Sequence, residues 1–200
     1  MESVEMHNQS QRLADDEAIA RLAECYRQII EIVGEDSTRE GLLRTPVRAA
    51  KALWYATGGY RRSLEETVGD AVFECQQREM VIVKDIEYYS LCEHHILPFF
   101  GHVSVGYLPK GKILGLSKLA RIVDLYARRL QVQERLTDEI CQAVARVLPT
   151  DGVMVSISGE HLCMKMRGVE KQDSATVTIA TSGRFATDSS LRAEFLAAIR

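Results

Sequence analysis

The sequence predicts an α+β fold: an antiparallel four-stranded sheet with helices on one face, preceded by a helical N-terminal segment. Apolar residues recur at helical spacing through roughly the first 70 positions. Near residue 80 the period changes to alternation. From there the order is two strands, two helices and two strands, which suits an antiparallel sheet with segregated helices.

Residues 1–15 are polar and acidic and are expected to form a disordered arm. Ile19, Leu22, Ala23, Tyr26, Ile29, Ile30 and Val33 then share one helical face, and Gly34 stops that helix. Ser37 with Glu40 has the form of a capping box and predicts a short helical turn. Thr45-Pro46 predicts a helix start, with the helix running through Ala49, Leu53 and Trp54 to the breaker Gly58-Gly59. Met80–Val83 predicts the first strand. Val103, Val105 and Tyr107 alternate with His102, Ser104 and Gly106, the pattern of a half-buried second strand. Pro109-Lys110-Gly111 is a turn. Ser117–Leu130 reads as a helix with Leu119, Ile122, Val123 and Tyr126 inward, and Gln133–Leu148 as another with Leu136, Ile140, Val144 and Val147 inward. Val153, Val155 and Ile157 mark a third strand, Ala175–Ile179 the fourth, and Leu191, Phe195, Leu196 and Ile199 a C-terminal helix. Four strands alone leave exposed edges, and association through the sheet is one way to cover them.

Composition narrows the function. Of 200 residues, 46% are hydrophobic and 26% charged, as in ordinary globular proteins. The formal charge of −3 argues against a general nucleic-acid-binding surface. The N-terminus lacks the basic and apolar regions of a signal peptide, and no apolar run is long enough to span a membrane. Five widely spread cysteines do not form a disulfide framework, so a cytoplasmic, reducing location is expected.

The segment Ser90-Leu91-Cys92-Glu93-His94-His95-Ile96-Leu97-Pro98 carries the main chemical signal. A Cys followed three residues later by His reaches one metal ion from a single turn. A second segment, His161-Leu162-Cys163, joins it only through tertiary folding. Three of the five His and two of the five Cys fall in these two stretches. Taken singly, each His is as readily a packed, hydrogen-bonded residue, and each Cys a small buried hydrophobe. Spacing leaves both a closed four-ligand structural site and an open catalytic one in play. The surplus of His favours the open one, since it leaves ring nitrogens for proton transfer.

Lys118 and Arg121 share a helical face, and Lys165 and Arg167 project to one side if their segment is extended. A solvated surface explains most such pairs, but beside a metal site they suggest an anionic substrate, and Arg suits phosphate oxygens. No GxxxxGK[ST] or GxGxxG loop is present. Glu134 is either a first-turn helix acid favoured by the dipole or a carboxylate that accepts two adjacent N–H groups, such as guanine N1–H and its 2-amino group.

Together, GLLRTPVRAAKAL (41–53), SLCEHHILPFFGHVSVGYLP (90–109), GLSKLARIVDLYARRLQVQERLT (115–137) and HLCMKMRGVEK (161–171) resemble the GTP cyclohydrolase I family. The resemblance implies the tunnelling fold and a ring-shaped homodecamer with active sites at subunit interfaces. It divides the chain into an N-terminal arm and helical segment, 1–70, and a catalytic domain, 71–200. It implies one zinc ion per subunit on Cys92, His95 and Cys163, with His94 and His161 as the proton-transferring pair. Glu134 with Gln133 would hold the guanine edge, and Ser117, Lys118, Arg121 and Arg167 the triphosphate of GTP. The implied reaction opens the guanine imidazole ring, giving formate and 7,8-dihydroneopterin triphosphate, the first step of tetrahydrofolate and pterin biosynthesis. Leu130 and Gln172-Asp173 depart from common family residues without removing any of these groups. Two other readings stand beside it: a related nitrile reductase with a Cys nucleophile and no zinc, and a zinc-binding assembly without catalysis.

Overall fold

The structure of the chain, a computed structural model, describes residues 2–76 and 78–200, with side chains from residue 13 onward. It divides into two compact units, Met1–Tyr55 and Ala56–Arg200.

The first unit holds α1 (Glu2–Ile32) and most of α2 (Thr45–Ala56). The expected irregular arm over 1–15 is helical from Glu2. No Gly or Pro interrupts the chain before Gly34, which takes a left-handed φ of 93° just past the helix end. The helical turn expected at Ser37 is also absent. The Asp36 side chain accepts from Thr38 N and Oγ1 instead, and Ser37 Oγ donates to Glu31, so the stretch forms consecutive turns.

The second unit opens with a 3-10 turn (Gly58–Arg61) and α3 (Leu64–Val68). There follow β1 (Val72–Glu74), β2 (Val81–Cys92), β3 (Pro98–Pro109), β4 (Lys112–Leu114), α4 (Leu116–Ala127), β5 (Leu130–Gln131) and α5 (Gln133–Val147). The chain ends with β6 (Thr150–His161), α6 (Leu162–Lys165), β7 (Thr176–Gly183), α7 (Arg184–Thr187) and α8 (Ser189–Ala198). The four long strands β2, β3, β6 and β7 are antiparallel neighbours, as expected. The sheet nevertheless has five strands, in the order β5-β2-β3-β6-β7, because two residues of β5 add in parallel along the end of β2. β1 and β4 form a separate antiparallel pair.

Helices cover both faces of the sheet, not one. On the first face, Leu119, Ile122 and Val123 of α4 and Leu136, Ile140 and Val144 of α5 enter one core with Val103, Val105, Tyr107, Val153, Val155 and Ile157. The opposite side chains, Leu108 and Met154, pack with Phe185 and Phe195 from α7 and α8. Gly106 on β3 makes room there: a Cβ would lie 2.6 Å from the Phe195 ring. The residues expected to face inward on the two central helices do so; Tyr126 and Val147 are only partly buried but pack against the same core.

Candidate metal centre and active site

The strand registers bring distant segments to one end of the sheet. Leu91 pairs with Pro98, Phe99 with His161, and Gly159 with Thr176. Cys92 pairs with Gln131 of β5, which sets the first turn of α5 near the end of β2.

Between β2 and β3 the chain reverses through Cys92–Leu97. Cys92 N donates to Leu97 O at 2.9 Å, and Ile96 N to Cys92 O at 2.8 Å. Ile96 carries a left-handed φ of 55°, a costly conformation for a β-branched residue, on the order of 1–3 kcal/mol. In this turn Cys92 Sγ lies 3.9 Å from His95 Nδ1 and 3.8 Å from His94 Nδ1. Cys163 arrives on α6, the single turn that follows β6. The ligand atoms of Cys92, His95 and Cys163 all lie within 4.8 Å of one another.

Burial, and then the Cys92 thiol, push the Cys163 thiol up, while the Arg167 guanidinium pulls it part of the way back. A divalent cation inverts that balance by stabilising thiolates. Two sulfurs and an imidazole form a soft donor set that would suit zinc.

Beside this cluster stands His161. Its ring stacks on Phe99 at 4.7 Å between centroids, with 5° between planes, and its Nε2 lies 2.9 Å from Gln133 Oε1. Burial pushes the His161 imidazole down, and the Glu134 carboxylate opposes that shift. Glu134 itself is exposed, on the first turn of α5. Gln133 is buried, and its carboxamide is committed to protein partners. Arg135 on the same turn donates to the Glu93 carboxylate, tying α5 to the Cys92–Leu97 turn.

Ser117, Lys118 and Arg121 form a second group on α4. Lys118 Nζ donates to Thr67 O at 3.1 Å, and Arg121 lines a cleft of about 270 Å³ with Arg62, Glu66 and Thr67. Lys165 ends the helical turn α6 and Arg167 lies in the bend that follows, so the segment is not extended. Lys165 therefore turns to Glu160, at 2.8 Å, while Arg167 stays within electrostatic reach of Cys163. Sequence reasoning did not single out Tyr88, Phe99 or Gly159. A strand-pairing signal places Phe99 opposite His161, but nothing in local spacing marks the other two.

The sequence model of the GTP cyclohydrolase I family matches residues 22–200. The chain belongs to the GTP cyclohydrolase I family. It is 55% identical over 179 residues to the Pseudomonas aeruginosa protein named GTP cyclohydrolase 1 2, covering 90% of this chain and 99% of that one. It is 56% identical over 174 residues to GTP cyclohydrolase 1 of Deinococcus radiodurans, covering 87% and 81%. Against GTP cyclohydrolase 1 of Methylococcus capsulatus it is 56% identical over 171 residues, covering 86% and 92%. Cys92, His95, His161 and Cys163 all fall within the stretch that matches the GTP cyclohydrolase I family.

Proposed function

We propose that the chain is a zinc-dependent GTP cyclohydrolase I. It opens the guanine imidazole ring of GTP by hydrolysis, releases formate and yields 7,8-dihydroneopterin triphosphate for tetrahydrofolate and pterin synthesis. The observation that carries this reading is the convergence of Cys92, His95 and Cys163 in a chain of this family.

Those three residues hold one zinc ion per subunit. When bound, zinc supplies Lewis acidity that makes water a competent nucleophile near neutral pH. His94 and His161 carry protons to and from the opening imidazole ring. The influence of Glu134 on His161 supports a guanine edge held by Glu134 next to the proton carrier, while the Gln133 carboxamide, expected beside it, stays on its protein partners. Ser117, Lys118, Arg121 and Arg167 bind the triphosphate, for which Lys118 exchanges Thr67 O for phosphate oxygen. The catalytic part is 71–200, with 1–70 as its N-terminal segment. The enzyme works as a cytoplasmic homodecamer with active sites at subunit interfaces, and it needs no nucleic-acid or membrane partner. Among the described residues, no helix is long and apolar enough to cross a membrane.

Metal content and GTP turnover measured on one sample test this. Zinc-loaded protein should release formate and form a pterin that fluoresces after oxidation. Zinc bound without either product defeats the reading. Cys92→Ala should lose zinc and turnover together, with a rate loss of at least about 10³-fold.

A further inference from the structure

We propose that Gln133 is a positioning residue for His161: its carboxamide fixes a proton on Nε2 and leaves Nδ1 as the nitrogen that exchanges protons with substrate. This rests on the reading of His161 as a proton carrier.

The orientation of the Gln133 amide follows from its surroundings. Gln133 is 1% exposed. Its Nε2 lies 3.1 Å from Ile157 O, 2.9 Å from Thr176 O and 3.1 Å from Thr178 Oγ1. Two of these are backbone carbonyls, which only accept, so the group facing them is the NH₂. The hydroxyls agree. Thr137 Oγ1 donates to Gln133 O at 2.6 Å, so the 2.6 Å contact between Thr137 and Thr178 is donated by Thr178. Thr178 then has only lone pairs to offer Gln133. The amide oxygen is thereby turned to His161 Nε2, 2.9 Å away. A carbonyl oxygen cannot donate, so Nε2 carries the hydrogen. This holds for the neutral and the cationic ring alike.

The surrounding packing keeps the pair in register. Phe99 lies flat against the imidazole, which fixes its plane. At Gly159, a Cβ would sit 2.5 Å from Gln133 Oε1 and 2.3 Å from the Tyr88 hydroxyl, so only glycine leaves room for the carboxamide. Glycine weakens a strand interior, and here it marks a close approach. In a neutral imidazole one nitrogen donates and the other accepts. Holding Nε2 as the donor therefore aims the lone pair through Nδ1, and the opposite tautomer would bury that lone pair against Gln133.

Solid-state ¹⁵N NMR of histidine-labelled, zinc-loaded enzyme reads the tautomer directly, with the His161 signals identified by their loss in His161→Asn. The expected result is a protonated Nε2 and an unprotonated Nδ1 in the neutral ring. A protonated Nδ1 beside a bare Nε2 overturns the proposal. This measurement needs no change at Gln133. The near-isosteric Gln133→Met should lower kcat for formate release about 10²-fold, with KM for GTP and zinc content within about twofold of the parent. A raised KM with kcat retained overturns the proposal and assigns Gln133 to the guanine edge. If the parent enzyme binds zinc but releases no formate, the functional reading fails on its own, and the NMR still decides the tautomer.

Discussion

The Tyr88 hydroxyl is buried and has no hydrogen-bond partner among the described residues. Leaving a polar group so placed costs on the order of 1–3 kcal/mol. Tyr88→Phe keeps the edge-on contact with Phe99 and removes that cost. The expected outcome is a thermal midpoint of the zinc-loaded protein that is unchanged or higher. A lower midpoint would mean that the hydroxyl has a partner. The same residue predicts a pH dependence. Burial holds the Tyr88 phenol well above its ordinary value, and burial raises Tyr107 too. The unfolded chain gives up these protons above about pH 10, where the folded protein still keeps them. Their contribution to stability is therefore complete below that pH and is lost as pH rises through the folded values. Tyr88→Phe should flatten the alkaline limb of the midpoint-against-pH curve, and an unchanged limb would remove Tyr88 from the explanation.

At the scale of elements, the pattern Ser-x-x-Glu occurs at both Ser37 and Ser63, with opposite outcomes. At Ser63 the box is complete: Glu66 N donates to Ser63 Oγ at 3.1 Å, and Ser63 N to the Glu66 carboxylate at 3.0 Å. Leu64 and Val68 then bury an apolar face, which the stretch after Ser37 lacks. Ser63→Ala should destabilise α3 by about 1 kcal/mol, and hydrogen exchange of the Leu64–Val68 amides should speed up about fivefold. Unchanged exchange would show that packing alone holds the helix. This contrast explains what was legible in the sequence. Long periodic segments such as α4 and α5 were readable because their apolar stripes repeat. β5 was not, because two residues carry no period and their pairing with Leu91 and Cys92 is set by tertiary structure. Within the site, the Cys92–His95 spacing is local and visible. The clustering of His and Cys also marks the segment of Cys163, which only tertiary folding brings to Cys92, whereas the division of His94 and His95 into proton carrier and ligand came from the family resemblance. The partners of the Gln133 side chain are the Ile157 and Thr176 carbonyls, the Thr178 hydroxyl and the His161 ring, and no spacing rule marks such contacts.

For the molecule as a whole, the decisive feature is what the sheet leaves uncovered. β7 is an edge strand, and β5 covers only Leu91 and Cys92 of the twelve-residue β2. Among the described residues, the remaining outer edges have no strand partner. The sheet face beyond the reach of α8 also presents apolar side chains, with Tyr89 52%, Val177 63% and Ile179 48% exposed. Open edges bordered by apolar groups are aggregation sites unless another chain pairs with them. The β2 edge of one copy meeting the β7 edge of the next would be a heterologous contact, which builds a ring where the rotation between copies closes and a filament where it does not. Light scattering on the zinc-loaded protein should therefore give a mass many times that of one chain, ten times if the family resemblance holds in full. Val177→Lys sets a charge on this face without touching the core, and it should weaken each contact by about 1.5–3 kcal/mol, the worth of one buried valine. The assembly should then fall apart on dilution at concentrations where the parent stays whole. A parent protein that runs at the mass of a single chain would show that these edges are protected in some other way.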